Sequence, residues 1–168
     1  MIDLLVDSTT VYLVAQIEAG AECIQIFDSW AGVLPEIALC RWSLAPIAEM
    51  ARRIREKHSD VPIIAFPRGV GSSYELFARD PNISAISLDS TVPLAWAAEV
   101  LQPHATLQGN LDPLYLVSGG AAMREEAVRI LETLAGGPFI FNLGHGILPQ
   151  TPTENVGELA ELIHGWKY

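Results

Sequence analysis

Six residues of this 168-residue chain have types and positions suited to chemistry: Ser29, Arg68, Asp89, Asn110, Asp112 and His145. A serine hydroxyl and a histidine imidazole can each hydrogen-bond a carboxylate. An arginine can grip one bidentately. Asp89 and Asp112 could work as paired carboxylates in acid–base chemistry. Each residue follows an apolar run: Ser29 in Phe27-Asp28-Ser29-Trp30-Ala31-Gly32, Arg68 in Phe66-Pro67-Arg68-Gly69, and Asp89 in Leu88-Asp89-Ser90-Thr91. Asn110 and Asp112 lie in Gln108-Gly109-Asn110-Leu111-Asp112-Pro113, and His145 in Asn142-Leu143-Gly144-His145-Gly146.

No common catalytic signature organises these groups. Gly69-Val70-Gly71 lacks the spacing of a dinucleotide fingerprint, and no P-loop lysine is present. Ser29 has no Gly-x-Ser-x-Gly elbow around it, which argues against a serine hydrolase. Plainer readings stand beside each candidate. A histidine between two glycines is often structural, Arg68 reads equally as a surface turn residue, and Asp112-Pro113 also reads as a helix or turn start. Five polar clusters at the same place in five successive units nevertheless point to the polar mouth of a pocket.

The elements that must carry these groups alternate regularly. A first helix is expected over Ile2 to Ala19, with Leu5, Val6, Leu13 and Ile17 on one face and Gly20 as its stop. Strands are expected at Cys23–Phe27, Pro62–Phe66, Ala85–Leu88, Thr106–Gly109 and Pro138–Leu143. Helices fill the gaps: one with Ile47, Met50, Ala51 and Ile54 at 3–4–3 spacing, a short one over Tyr74–Arg79, and one after Pro93 marked by Leu94, Ala98 and Leu101. Met123, Ala127, Ile130 and Leu134 mark another, stopped by Gly136-Gly137. The last has Thr153 as its N-cap and Val156, Leu159, Ile163 and Trp166 as its apolar stripe. Strict alternation makes an α/β chain with parallel strands and right-handed crossovers. In such folds functional groups gather beyond the carboxyl ends of the strands. Periodicity does not choose between an open doubly wound sheet and part of a barrel. With no repeat, linker or low-complexity tract, residues 1–168 read as a single domain.

Composition narrows the class. Half the residues are hydrophobic and the mean hydropathy is +0.28, as strands buried on both faces would give. Ten Lys and Arg against 20 Asp and Glu leave a formal charge of -10, unlike a nucleic-acid-binding surface. Arg52, Arg53, Arg55 and Lys57 cluster at a helix C-terminus, where cations oppose the negative dipole end. The acidic start MIDLLVDSTT is not a signal peptide, and no apolar run reaches the about 18 residues of a membrane span. Cys23 and Cys40 lack metal-type spacing and read as reduced thiols of a cytoplasmic protein.

The strings Phe27–Gly32, Leu107–Pro113 and Asn142–Pro149, this last reading NLGHGILP, resemble signature segments of uroporphyrinogen decarboxylase in that family's order. The resemblance runs from about residue 1 to the end, and Pro67-Arg68-Gly69 looks bacterial. It implies the last five β/α units of a TIM (β/α)8 barrel. It implies removal of four acetate carboxyl groups from a tetrapyrrole, uroporphyrinogen III to coproporphyrinogen III in haem biosynthesis, with no metal or organic cofactor. The substrate supplies the electron sink: a protonated pyrrole accepts the electrons released as CO2 leaves, and a proton replaces the lost carboxylate. By resemblance Ser29 contacts a propionate or acetate arm and His145 a substrate carboxylate. Asp89, Asn110 and Asp112 match motif positions that shape the pocket loops. Arg68 is the one strand-end cation available for a polyanionic substrate.

The family's carboxylate-binding arginines, its central aspartate and a pocket tyrosine follow its first three strands, and none of those segments is in this sequence. The resemblance therefore implies no catalytic residue in this chain, inactivity of the chain alone, and open sheet edges that seek a partner. That partner would be a second copy, as in the family's homodimer, or the missing N-terminal part. Two alternatives remain. One is a non-catalytic remnant that binds a tetrapyrrole or pairs with another chain. The other is a relative of the cobalamin-linked methyltransferases, which share the barrel and hold zinc through His and Cys. Cys23 and Cys40 are far in sequence from His104 and His145, which disfavours the latter.

Overall fold

The computed structural model describes residues 1–167. Its elements alternate as the sequence predicts. Helix α1 spans Ile2–Glu18, α2 Glu36–Leu39, α3 Ala45–Lys57, α4 Tyr74–Ala78, α5 Leu94–Trp96, α6 Pro113–Ser118, α7 Gly120–Leu134 and α8 Thr153–Gly165. The strands are β1 Ile24–Asp28, β2 Ile63–Pro67, β3 Ala85–Ser87, β4 Thr106–Leu111 and β5 Phe139–Leu143. Single π-helical turns, Cys40–Leu44 and Ala97–Leu101, join α2 to α3 and continue α5. The chain divides into two compact units, Met1–Ile86 and a second beginning at Ser87.

In the first unit β1 and β2 run parallel, Ile24 opposite Ile63 and Asp28 opposite Pro67. Residues Ile64 and Ala65 of β2 pair in parallel with Ala85 and Ile86. Strand β2 is buried along its whole length, which explains its unbroken apolar run. Ile47, Met50, Ala51 and Ile54 are buried on α3 as their spacing predicts. The face of α1 differs from expectation. Val6, Thr10, Leu13 and Val14 are buried, whereas Leu5 is 54% exposed. The Arg53 guanidinium bridges Asp7 on α1 and Glu49 on its own helix, so part of the basic cluster clamps two helices. Arg55 reaches the Ser84 hydroxyl and the Asn82 carbonyl, tying α3 to the approach to β3.

In the second unit β4 and β5 run parallel with Leu107 opposite Phe139 and Leu111 opposite Leu143. Met123, Ala127, Ile130 and Leu134 of α7 are buried, joined by Leu131. Arg124 of α7 pairs with Glu158 of α8. Two boundaries change. Thr153 is not the N-cap of α8: Pro152 holds that place, and the Thr153 hydroxyl turns to Glu154. Cys23 lies outside β1 and is exposed, because the first strand register begins at Ile24.

Burial also departs from the two-face expectation in β1 and β5. Residues Phe27 and Ile140 are 65% and 43% exposed. Each strand pairs on one side, β1 with β2 and β5 with β4, and its other edge meets no strand among the described residues, so Phe27 stays exposed although its ring packs edge-on against Phe66 of β2.

Candidate functional site

In the first unit the loops after β1 and β2 are laced together. The Arg68 amide donates to the Asp28 carbonyl and the Gly32 amide donates to the Arg68 carbonyl, both at 3.0 Å. A Cβ at Gly32 would meet the Gly69 carbonyl oxygen at 2.5 Å, so only glycine permits the approach. Asp28 Oδ1 accepts from the Trp30 amide and bends the chain immediately after Ser29. Ser29 is half-buried and Arg68 exposed, each just past the carboxyl end of its strand. This places a hydroxyl and a cation on neighbouring loops, a combination suited to a carboxylate.

In the second unit the polar groups build a wall. Asp89, 4% exposed, accepts from the Thr91 amide at 2.9 Å and from the Thr91 hydroxyl, turning the chain toward α5. The Asn110 side-chain amide donates to the carbonyls of Asp89 and Val92, both at 3.1 Å. Behind it, buried Gln108 donates to the Ser87 hydroxyl at 3.0 Å. The Gly144 amide donates to the Leu111 carbonyl at 2.7 Å. A Cβ at Gly144 would lie 2.4 Å from the Ser90 nitrogen. His145 follows directly and is exposed.

The structure sorts the sequence candidates. Asn110 belongs to β4, which continues to Leu111, rather than to the loop beyond it. Asp112 is an N-cap: Oδ1 accepts from the Leu114 amide at 2.9 Å, with Pro113 at the first helical position. The Asp112 carboxylate caps the start of α6, and the buried Asp89 carboxylate accepts from both the amide and the hydroxyl of Thr91. Gln108 and Ser87 lie within β4 and β3, where a pattern of residues beyond strand ends does not reach. The cue was there in two polar residues inside otherwise apolar strands.

Hollows flank the strand edges. One of about 140 Å³ lies against β1, lined by Phe27, Asp28 and Met50 and by Ser43, whose buried hydroxyl has no hydrogen-bond partner among the described residues. Another of about 220 Å³ lies beside β5 and α8, lined by Phe141, Leu143, Ile147 and Leu159. Among the described residues no group of three or more His, Cys, Asp or Glu side chains is placed to hold a metal ion. Partial burial holds the Cys23 thiol above its ordinary pKa range, outweighing its hydrogen bond to the Ile24 carbonyl, so it is a poor thiolate donor. No helix of the described residues is long and apolar enough to cross a membrane.

The uroporphyrinogen decarboxylase (URO-D) family model matches residues 1–166. The chain belongs to the uroporphyrinogen decarboxylase family. It is 55% identical to a uroporphyrinogen decarboxylase of Rhodospirillum rubrum, over 97% of this chain and 47% of that protein. It is 46% identical to one from a Chelativorans species, with the same coverage, and 43% identical to one from Novosphingobium aromaticivorans, over 99% and 49%. The chain thus spans about half the length of the curated relatives it matches, and corresponds to their C-terminal part. A methyltransferase from Methanosarcina mazei superposes with a TM-score of 0.75 at 23% identity, covering 95% of this chain and 47% of that one. That likeness shows the fold: five β/α units of a partial TIM barrel.

Proposed function

We propose that this chain forms the C-terminal wall of a uroporphyrinogen decarboxylase pocket and acts in porphyrin biosynthesis as a carboxy-lyase only when the rest of the barrel completes it. The carrying observation is that the family strings FDSWAG, QGNLDP and NLGHGILP each stand at the carboxyl end of their own strand. There Ser29 is half-buried and His145 exposed, each directly beyond its strand or one residue further on. Their role is to hold carboxylate arms of the tetrapyrrole. A hydroxyl and an imidazole do this by hydrogen bonding, and Arg68 adds a charge that offsets the chain's -10 near the substrate.

The chemistry each arm undergoes is loss of CO2 into a protonated pyrrole, with a proton returning to the carbon. Catalysis then rests on orientation and on groups that stabilise the developing charge. The charge-stabilising aspartate and arginines of the family lie outside these residues, so the chain alone falls short by on the order of 10²–10³ in rate for each absent group. The site belongs in the cytoplasm with a soluble tetrapyrrole substrate. The chain's partner is the N-terminal half of the fold or a second copy.

The test is assay of the purified 168-residue protein with the reduced octacarboxylate, alone and with the N-terminal half of the Rhodospirillum rubrum relative added. Products are oxidised and separated by carboxylate number. The proposal expects no four-carboxylate product from the chain alone and its recovery on mixing. Full activity without the second half, or none with a demonstrated complex, would overturn it.

A further inference from the structure

Asn110 occupies an unusual place in the second unit. It is 6% exposed and the penultimate residue of β4, and both its amide protons reach backbone carbonyls across the strand end. Those carbonyls belong to Asp89 and Val92, the two ends of the loop that enters α5. The loop is already turned inward by the Asp89 carboxylate on Thr91 and by the Val92 amide donating to the Asp89 carbonyl at 3.2 Å. Asn110 therefore pins a compact, rigid loop to the top of β4.

Against that loop stands Gly144. Its ideal Cβ position lies 2.4 Å from the Ser90 nitrogen, 3.0 Å from the Asp89 carbonyl carbon and 3.0 Å from the Asn110 carbonyl oxygen. Its amide is tied to Leu111 at 2.7 Å. Gly144 is wedged between the pinned loop and the end of β4, one peptide before His145. That wedge fixes the backbone from which the exposed His145 side chain leaves.

We infer that Asn110 is a positioning residue for His145: by clamping the Asp89–Val92 loop it fixes the surface that seats Gly144 and hence the imidazole that meets substrate. Asn110 acts through two carbonyls and one glycine. The inference rests on the proposed role of His145 but makes a claim about geometry that can stand without it.

Two measurements on the 168-residue protein test it. The first is ligand-free: histidine-labelled protein is compared by NMR with Asn110→Asp, which keeps the shape but turns both donors into acceptors facing carbonyls, and with Gly144→Ala. The His145 ring signal, identified by its loss in His145→Gln, should move by several linewidths in both variants while those of His104 and His164 stay in place. A His145 signal superimposable on wild type in both would overturn the inference. The second is a double-mutant cycle on binding of the oxidised porphyrin with the same carboxylate arms. Asn110→Ala should weaken binding roughly three- to tenfold in the wild-type background and leave it unchanged in His145→Ala, the signature of residues that act as one unit. Equal loss in both backgrounds would show a general structural role and overturn the inference. If the His145 signal moves in the variants but wild type binds no porphyrin, the positioning claim stands and the proposed function fails.

Discussion

Gly32 and Gly69 lie closer than any side chain at position 32 would allow: a Cβ there would sit 2.5 Å from the Gly69 carbonyl oxygen and 2.9 Å from its Cα. Both contacts are to backbone, so no rotamer change relieves them. Gly32→Ala should therefore destabilise the first unit by about 1–3 kcal/mol, the usual cost of forcing backbone aside in a packed region. Gly136, where a Cβ meets nothing within 4 Å, provides the control, and Gly136→Ala should be neutral or stabilising by up to about 1 kcal/mol. Urea denaturation of both variants beside wild type measures the difference. Equal midpoints for Gly32→Ala and wild type would refute the contact.

Asp112 is a motif residue whose visible task is to cap α6. Asp112→Ala should lose about 0.5–2 kcal/mol of stability, and Asp112→Asn, which keeps an acceptor, should recover most of it. In the complemented enzyme, Asp112→Asn should turn over nearly as wild type does. A large loss of kcat in that variant, with stability intact, would move Asp112 from loop shaping into the reaction.

The ion pairs on α3 give the stability a pH dependence. Hydrogen bonds from Arg52 and Arg53 hold the Glu49 carboxyl at about 2, well under its ordinary value of 4.5. A carboxylate depressed on folding contributes stability that is present above its unfolded value and lost as pH falls through the folded one. The thermal midpoint should thus decline as pH falls from about 4.5 toward 2, and part of that decline should vanish in Glu49→Gln. The pairs are solvent-facing, so added salt should shrink the difference between Glu49→Gln and wild type. An identical acid limb in Glu49→Gln and wild type would remove Glu49 from the account.

What the sequence revealed and concealed follows from physical scale. Strands and long helices were legible because periodicity averages over many residues: the stripe Met123, Ala127, Ile130 and Leu134 is buried at every position. The short helix Pro113–Ser118 was foreshadowed by Asp112-Pro113, since cap chemistry is local. Leu5 misled because an apolar residue on an amphipathic helix says nothing about where the covered face ends. Thr153 misled because Pro152 can begin a helix without a side-chain cap. The roles of Asn110 and Gly144 depend on contacts between segments roughly 20 to 50 residues apart, beyond the reach of any local pattern. The strings that carry the family resemblance lie at the carboxyl ends of β1, β4 and β5 without revealing which members touch one another.

The edges of the sheet lead to a last prediction. Strand β5 pairs only with β4 among the described residues, Ile140, its second residue, is 43% exposed, and Phe141 and Leu143 line an apolar hollow of about 220 Å³. On β1, Phe27 is 65% exposed, and Trp30 and Ile37 in the following segment are 76% and 86% exposed. Unpaired backbone groups next to apolar side chains template association with further chains. A lysine in such an edge opposes pairing by demanding hydration. At tens of micromolar the 18.2 kDa chain should elute from a sizing column with light scattering as larger species. Ile140→Lys should shift the distribution toward monomer, whereas Glu125→Lys, on the outer face of α7, should not. A strictly monomeric wild type across a hundredfold concentration range would show that these edges are shielded after all. Addition of the N-terminal half of a relative should compete with self-association, because both would satisfy the same unpaired edges.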